Sequence, residues 1–413
     1  MTHATATELP AKVQRRAIWL LVAASTLCYL SIGSYVAVLP GYVLDHIGST
    51  TTALGIAMGA TAAVAVALRP FSGALGDQYG RRPLALVGAA VIGGAAAVLL
   101  GPGVLALVLV ARVLLGAGDA LFTTAAMAWV ADVAHPARRG RAMATLGMSF
   151  WLGFALGPQW STFARDHGGY EAVWIAAALT GLLAAVLVRF VPIAAPPAHR
   201  ETSARPARLP RAALLPALAM LLTCYGNGVF EAFGIVHLTD QGVADGAGIG
   251  GAASVFTIVA VTTFIGRFAG GVLSDRLGPR PVAMAGILFC GGSYTVLAAA
   301  SSFGAAACGA ALLGIGLALL YPALALSVTR RVPPAERGAG LGVFLAAMDV
   351  AFGLGPVIGG LVVTASSSSF ALWSATVVAM LALPLVFATH VPAVEEEHGE
   401  GLELAEESPG APV

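Results

Sequence analysis

Four charged side chains, Arg112, Asp119, Glu231 and Asp349, each lie well inside a run of apolar residues. A charge at the centre of a bilayer costs about 2.5–3.5 kcal/mol on insertion scales, so each must face a cavity or a partner. A buried carboxyl can take up and release protons rather than stay permanently ionised. The chemistry these residues offer is therefore proton coupling or substrate contact; the plainer alternative for each is a satisfied structural salt bridge. Arg112, Gly116 and Asp119 follow at i, i+4 and i+7 and share one helical face. Two turns separate the arginine from the acid, too far for direct pairing, so water or a neighbouring span must bridge them. Glu231 has Asn227 one turn before it.

Aromatic residues fall in the same runs. Tyr29, Tyr35, Trp151, Phe230, Phe233 and Tyr321, with Asn227, are candidates for a cavity wall, the alternative being core or lipid-facing rings. An aromatic cavity with a few carboxylates suits an amphipathic or cationic organic molecule better than a sugar, which needs many amides and hydroxyls.

The elements that position these residues are read from hydropathy. Apolar residues make up 58% of the 413 and charged residues only 10%, against about 25% charge in soluble domains. Twelve apolar spans are expected, at 17–40, 53–75, 84–100, 104–131, 141–164, 172–192, 212–238, 248–273, 282–300, 304–328, 339–363 and 370–390. Each is near the ~20 residues a transmembrane helix needs, and only helices satisfy every backbone amide in segments of this kind. The fold class is an all-α membrane protein. The domain reading is a tail at 1–16, a six-helix bundle at 17–192, a Pro/Arg-rich connection at 193–211, a second bundle at 212–391 and a tail at 392–413 that holds seven glutamates.

The two bundles are copies of one unit. A shift of 198 residues carries Arg69, Gly73, Asp77 and Gly80 onto Arg267, Gly271, Asp275 and Gly278 without a gap. The same shift carries Leu115–Gly116 onto Leu313–Gly314, Arg139–Gly140 onto Arg337–Gly338 and Gly157–Pro158 onto Gly355–Pro356. Internal duplication in a membrane protein points to a transporter with its site between the halves.

Charge in the loops sets the orientation. One side holds seventeen Lys and Arg and the other Arg165 alone, so both termini are expected in the cytoplasm. The basic residues serve topology, and no nucleic-acid partner is expected. The first apolar segment is long and lacks a small-residue cleavage site, so it is read as a span rather than a removable signal. In the loop between spans two and three, Gly73 and Gly80 permit a tight turn. Asp77 can face a helix N-terminus, where a carboxylate is favoured. Arg81 and Arg82 can pair with Asp132 at the end of span four.

That loop, Gly73-Ala-Leu-Gly-Asp77-Gln-Tyr-Gly80-Arg81-Arg82, resembles the signature loop of the major facilitator superfamily. A weaker copy, Gly271 to Arg280 with Asp275 and Gly278, lies between spans eight and nine, where that family repeats it. The resemblance implies two pseudo-symmetric six-helix bundles in the inner membrane, with this loop cluster latching them in the outward-open state. Arg112-Val-Leu-Leu-Gly116 resembles the family's fourth-span arginine motif, which implies proton coupling. Gly153-Phe-Ala-Leu-Gly157-Pro158 resembles the antiporter signature, although Gln159, Trp160, Ser161 and Thr162 follow where a glycine pair is expected. The fuller ending, Gly359-Gly360 after Pro356, is in span eleven. The resemblance implies a proton-coupled exporter of a small lipophilic or cationic molecule, drug-like or a natural product, working as a monomer. Proton-coupled uptake of a nutrient on the same fold stays open. A membrane enzyme or sensor is disfavoured: there is no HExxH, GxSxG, phosphate-binding loop or haem-type histidine pair, and no metal or cofactor is called for.

Overall fold

The computed structural model describes residues 10–135, 138–192, 210–246, 250–333 and 336–388. The elements in chain order are α1 (Ala11–Gly41), α2 (Thr51–Tyr79), α3 (Arg81–Val98), α4 (Leu105–Val133), α5 (Arg139–Arg189), α6 (Arg211–Asp240), α7 (Ser254–Leu277), α8 (Pro279–Ala298), α9 (Phe303–Arg331), α10 (Arg337–Ala365), α11 (Ser368–Met380) and α12 (Ala382–Ala388). A single π-helical turn, Tyr42–His46, extends α1. Helix α1 begins at Ala11, inside the stretch read as a tail, so the first helix is longer than its apolar part. Most of the Pro/Arg-rich connection and all of the acidic tail at 392–413 fall outside the described residues.

Eleven of these helices are long and apolar enough to cross a membrane, with α11 and α12 together making the last. The expected twelfth crossing is inside α5. Its 51 residues would extend about 76 Å if straight, more than twice the ~30 Å of hydrocarbon. Gly168 (φ −144°, ψ 15°) and Gly169 (φ 68°, ψ −168°) break it, and Gly169 occupies a left-handed region that favours glycine. The two limbs then fold back. Gly33 of α1 packs on Gly157 of the first limb, and Ser31 Oγ donates to the Ala177 carbonyl of the second at 2.9 Å. In a straight helix Gly157 and Ala177 would stand about 30 Å apart. Spans five and six are the two limbs of α5.

The duplication is visible in the backbone. Gly80 between α2 and α3 has φ 92° and ψ 157°, and Gly278 between α7 and α8 has φ 84° and ψ 157°. Both turns need the left-handed freedom of glycine, so the repeat preserves a conformation as well as a motif. Helices α1–α5 form one bundle and α6–α12 the other.

The bundles meet along α2 and α10. A Cβ on Gly55 would strike the Pro356 carbonyl, one on Gly59 the Gly353 carbonyl, and one on Gly360 would lie 2.8 Å from the Thr51 carbonyl. Glycine here lets two backbones touch, which is how helices associate where lipid removes the hydrophobic drive. Bonds between the halves run along this end: Thr51 and Thr52 with Thr364 (both 2.7 Å), Thr257 Oγ1 to the Ala155 carbonyl (2.8 Å) and Arg165 to Asp245 (3.0 Å). At the opposite, arginine-rich end, Gly73, Gly271 and Gly342 have nothing within 4 Å of where a Cβ would stand. The cleft between the bundles is shut at one end and splayed at the other.

A branched side chain in the seam should therefore hold the shut end apart. Gly59→Val is expected to lengthen the distance between spin labels at Ser49, just before α2, and Ser366, just after α10. An unchanged distance distribution would show that the glycine contact does not govern closure.

Candidate functional site

About two-thirds of the way along α2, Arg69 reaches both bundles. Its Nη1 lies 2.6 Å from Asp349 Oδ2 on α10, and its Nη2 lies 3.5 Å from Asp119 Oδ2 on α4. Asp119 is held further: Tyr29 Oη and Thr123 Oγ1 both donate to its Oδ1 at 2.9 Å, and the two hydroxyls are 3.1 Å apart. The side chains of Asp119 and Asp349 are only 13% and 11% exposed, and that of Arg69 32%. One guanidinium thus serves two shielded carboxylates, one from each bundle.

The other inward charges are satisfied differently. Gly116 brings α4 against the Thr61 backbone of α2. Arg112 then donates from Nε to the Ala57 carbonyl at 3.0 Å and from Nη2 to the Met58 carbonyl at 2.9 Å. Those carbonyls keep their helix bonds, since a carbonyl oxygen has a second lone pair. Tyr35 closes over the guanidinium, 5.6 Å from carbon to ring centroid. The bridge expected between Arg112 and Asp119 is therefore α2, which partners both. Glu231 accepts from Asn227 Nδ2 at 3.0 Å along α6.

The rings fall into two groups. Trp151 and Tyr321 flank Arg267, at 5.3 and 5.0 Å from its guanidinium carbon, and Tyr29 contacts Phe150 and Phe154 as well as Asp119. Tyr35, Phe230 and Phe233 are 0–1% exposed. Tyr35 packs on Trp174 and Phe230 on Phe256. These three belong to the bundle interiors; a ring with no free face cannot line an open cleft, so the expectation of a wall role for them is corrected.

The family model described as the Major Facilitator Superfamily matches residues 21–236 and 217–411. The chain belongs to the major facilitator superfamily. It is similar to an uncharacterised major-facilitator-type transporter of Salmonella typhimurium, 28% identical across 82% of this chain and 87% of the relative. A second such transporter, from Burkholderia mallei, is 30% identical across 82% and 84%. Among solved structures, the nucleoside transporter NupG superimposes with a TM-score of 0.77 at 12% identity, covering 90% of this chain and 99% of that one. This chain is thus a multi-pass secondary transporter, and the charge cluster lies where its two bundles meet.

The signature loop of this transporter is assembled within its own bundle. Arg81 pairs with Asp77 at 2.6 Å and with Asp132 at 3.3 Å. Arg82 does not reach Asp132 as expected; it donates to the Val191 carbonyl at 2.5 Å, because the end of α5 lies closer. In the second copy, Asp275 is exposed and the Arg280 guanidinium lies 4.1 Å from the Phe387 ring centroid. The repeat partner of Asp132 is Arg330, so the second copy has no acid at that place to accept an arginine.

Gly153 and Gly157 press the first limb of α5 onto α1, where a Cβ on Gly157 would come within 2.7 Å of Gly33 Cα. Trp160, which departs from the antiporter pattern, is 44% exposed and stacks on Phe163 outside this contact. Thr162 takes the place of a glycine and donates to the Pro158 carbonyl at 2.7 Å.

Sequence reasoning missed Arg69 and Arg267 as site residues. Both sit in apolar spans and are exact repeat partners. Their position at the start of the loop motif drew attention to the loop, whereas the cost of an arginine inside a span was the signal. Among the described residues no group of three His, Cys, Asp or Glu is placed to hold a metal ion.

Arg69 and Asp349 should be energetically coupled. Arg69→Gln and Asp349→Asn are each expected to lower the thermal midpoint. Their double mutant should be more stable than the sum of the two losses predicts, by about 0.5–3 kcal/mol in a double-mutant cycle. Strict additivity would remove the pair from the structural account. At the loop, Asp77→Asn should slow transport while leaving expression and substrate affinity largely intact, the outcome expected of a latch that sets the balance of states rather than of a substrate site. Equal rates in mutant and parent vesicles would count against that role.

Proposed function

We propose that this transporter exports a small organic molecule in exchange for protons, by alternating access. The observation that carries the reading is the sharing of Arg69 between Asp119 of its own bundle and Asp349 of the other. Two carboxylates against one arginine leave one negative charge unmatched in a shielded site, and a proton is the smallest charge that can fill it. While both acids are ionised, Arg69 ties α2 to α10. Protonation of Asp349 removes the charged partner at 2.6 Å, and the arginine is left to Asp119 within its own bundle. Proton occupancy thereby sets the strength of the tie between the bundles, which is what coupling to a conformational cycle requires. Glu231, Arg112 and Asn227 stand as secondary participants.

Export is supported by the antiporter-like glycines Gly153 and Gly157, which are used for close packing against α1. The cleft opens at the arginine-rich end, which the positive charge bias assigns to the cytoplasm, and this is one of the two states that alternating access requires. The rings of Tyr29, Trp151 and Tyr321 suit a lipophilic, drug-like or natural-product molecule. A cationic solute is less well served, because both acids are already engaged by Arg69. The cluster is complete within one chain, which favours a functional monomer.

Cells carrying the protein should accumulate less of a lipophilic compound from a broad panel, and a protonophore should erase the difference. In proteoliposomes, Asp119→Asn or Asp349→Asn should abolish flux driven by a pH gradient while retaining exchange. Faster uptake of a nutrient with no fall in accumulation would make the protein an importer. Full gradient-driven flux in both variants and in Glu231→Gln would place the proton elsewhere.

A further inference from the structure

We propose that Arg267 is an anion subsite that takes a small organic acid, a single carboxylate or sulfonate on a flat apolar body. The proposal rests on the transport reading above and names its substrate class.

The argument comes from the repeat. The 198-residue shift that carries Arg69 onto Arg267 also carries Trp151 onto Asp349, Thr123 onto Tyr321 and Asp119 onto Leu317. The structure places Trp151 against Arg267 as it places Asp349 against Arg69. Arg69 is held by Asp349 of the opposite bundle and Asp119 of its own. Arg267 is flanked by Trp151 of the opposite bundle and Tyr321 of its own, at 5.3 and 5.0 Å. The second arginine has therefore kept its place in the fold while both counter-ions became apolar side chains.

Its charge is left unmatched. Among the described residues Arg267 has no ion pair, and its Nε is buried without an acceptor. Cation–π contacts contribute about 0.5–2 kcal/mol each, less than the several kcal/mol that an unpaired charge costs in such a place. Arg112 shows how this chain settles an arginine permanently, with two backbone carbonyls at 3.0 and 2.9 Å; Arg267 has no such arrangement. A guanidinium presents its donors in a planar fork that matches a carboxylate. The two rings would take the apolar body by offset stacking, while their negative faces keep the anionic group in the guanidinium plane.

Calorimetry on purified protein in phosphatidylethanolamine–phosphatidylglycerol nanodiscs tests this with three probes of one shape: 2-naphthoate, 2-naphthamide and 2-naphthylmethylammonium. Naphthoate should bind about tenfold or more tighter than the amide or the cation, the worth of a charge-assisted pair. Arg267→Gln should bring naphthoate down to the level of the amide. Trp151→Asp, which restores the acid found at the repeat partner, should supply an internal counter-ion and do the same. Naphthoate binding no better than that of the amide in the parent overturns the proposal, as does binding that survives either variant. Should Arg267→Gln fail to fold, Trp151→Asp decides alone. The assay uses no gradient, so its outcome is independent of whether proton-driven export succeeds or fails.

Discussion

A charge inside hydrocarbon must be matched by something within reach, and the arrangement of α2, α4 and α10 follows from meeting that demand. Arg69 answers it for Asp119 and Asp349 at once. Arg112 is answered by the carbonyls of Ala57 and Met58, which fixes α4 against α2 at a second level. Glu231 is answered within α6 by Asn227. Helix α2 is therefore the common member: it holds its own bundle together through α4 and meets the other bundle through α10. Among the described residues, the Arg69 contact to Asp349 is the ion pair that crosses between the bundles at this depth, and it is the contact on which the proposed coupling rests.

Much of this was legible in the sequence. The constant 198-residue shift gave two bundles, and hydropathy gave their crossings. The charges inside apolar runs gave Arg112, Asp119 and Asp349, because the expense of burying them is a local property that needs no structure. What was hidden is what depends on docking. Nothing in the spacing of Arg69 and Asp349, 280 residues apart, says that they meet, since the contact is made by two bundles and not by one helix. The same is true of Tyr35, Phe230 and Phe233: aromatic type alone does not tell a ring facing a cleft from one packed against a neighbouring helix. The turn between spans five and six was expected as a loop. The structure makes it in two glycines, Gly168 and Gly169, because one left-handed residue suffices to reverse the chain.

The duplication is kept in the backbone at the turns after α2 and α7 and is inexact in side chains, and several of the differences fall at the interfaces between bundles. Gly80 and Gly278 adopt nearly the same dihedral angles. By contrast, the α2–α10 seam has Gly353, Pro356 and Gly360 against Gly55 and Gly59, whereas α5 meets α7 with Thr162 at the corresponding place and a Thr257 bond to the Ala155 carbonyl. A repeated unit packs within itself in the same way twice, but its two copies need not meet each other symmetrically. Most of the divergence that defines a particular transporter can accumulate at those surfaces without disturbing either bundle.

The glycine seam between α2 and α10 also bears on how readily the two ends can exchange roles. Burying a rotamer-rich side chain costs up to about 2 kcal/mol of conformational entropy, and burying glycine costs none. A seam of Gly55, Gly59, Gly353 and Gly360 has almost no rotamers to freeze when it shuts and none to release when it parts. Its free energy therefore rests on shallow dispersion contacts, which are lost evenly as the backbones separate. Such a joint keeps the shut and parted forms close in energy and avoids a deep trap in either one, a property of a hinge meant for repeated use.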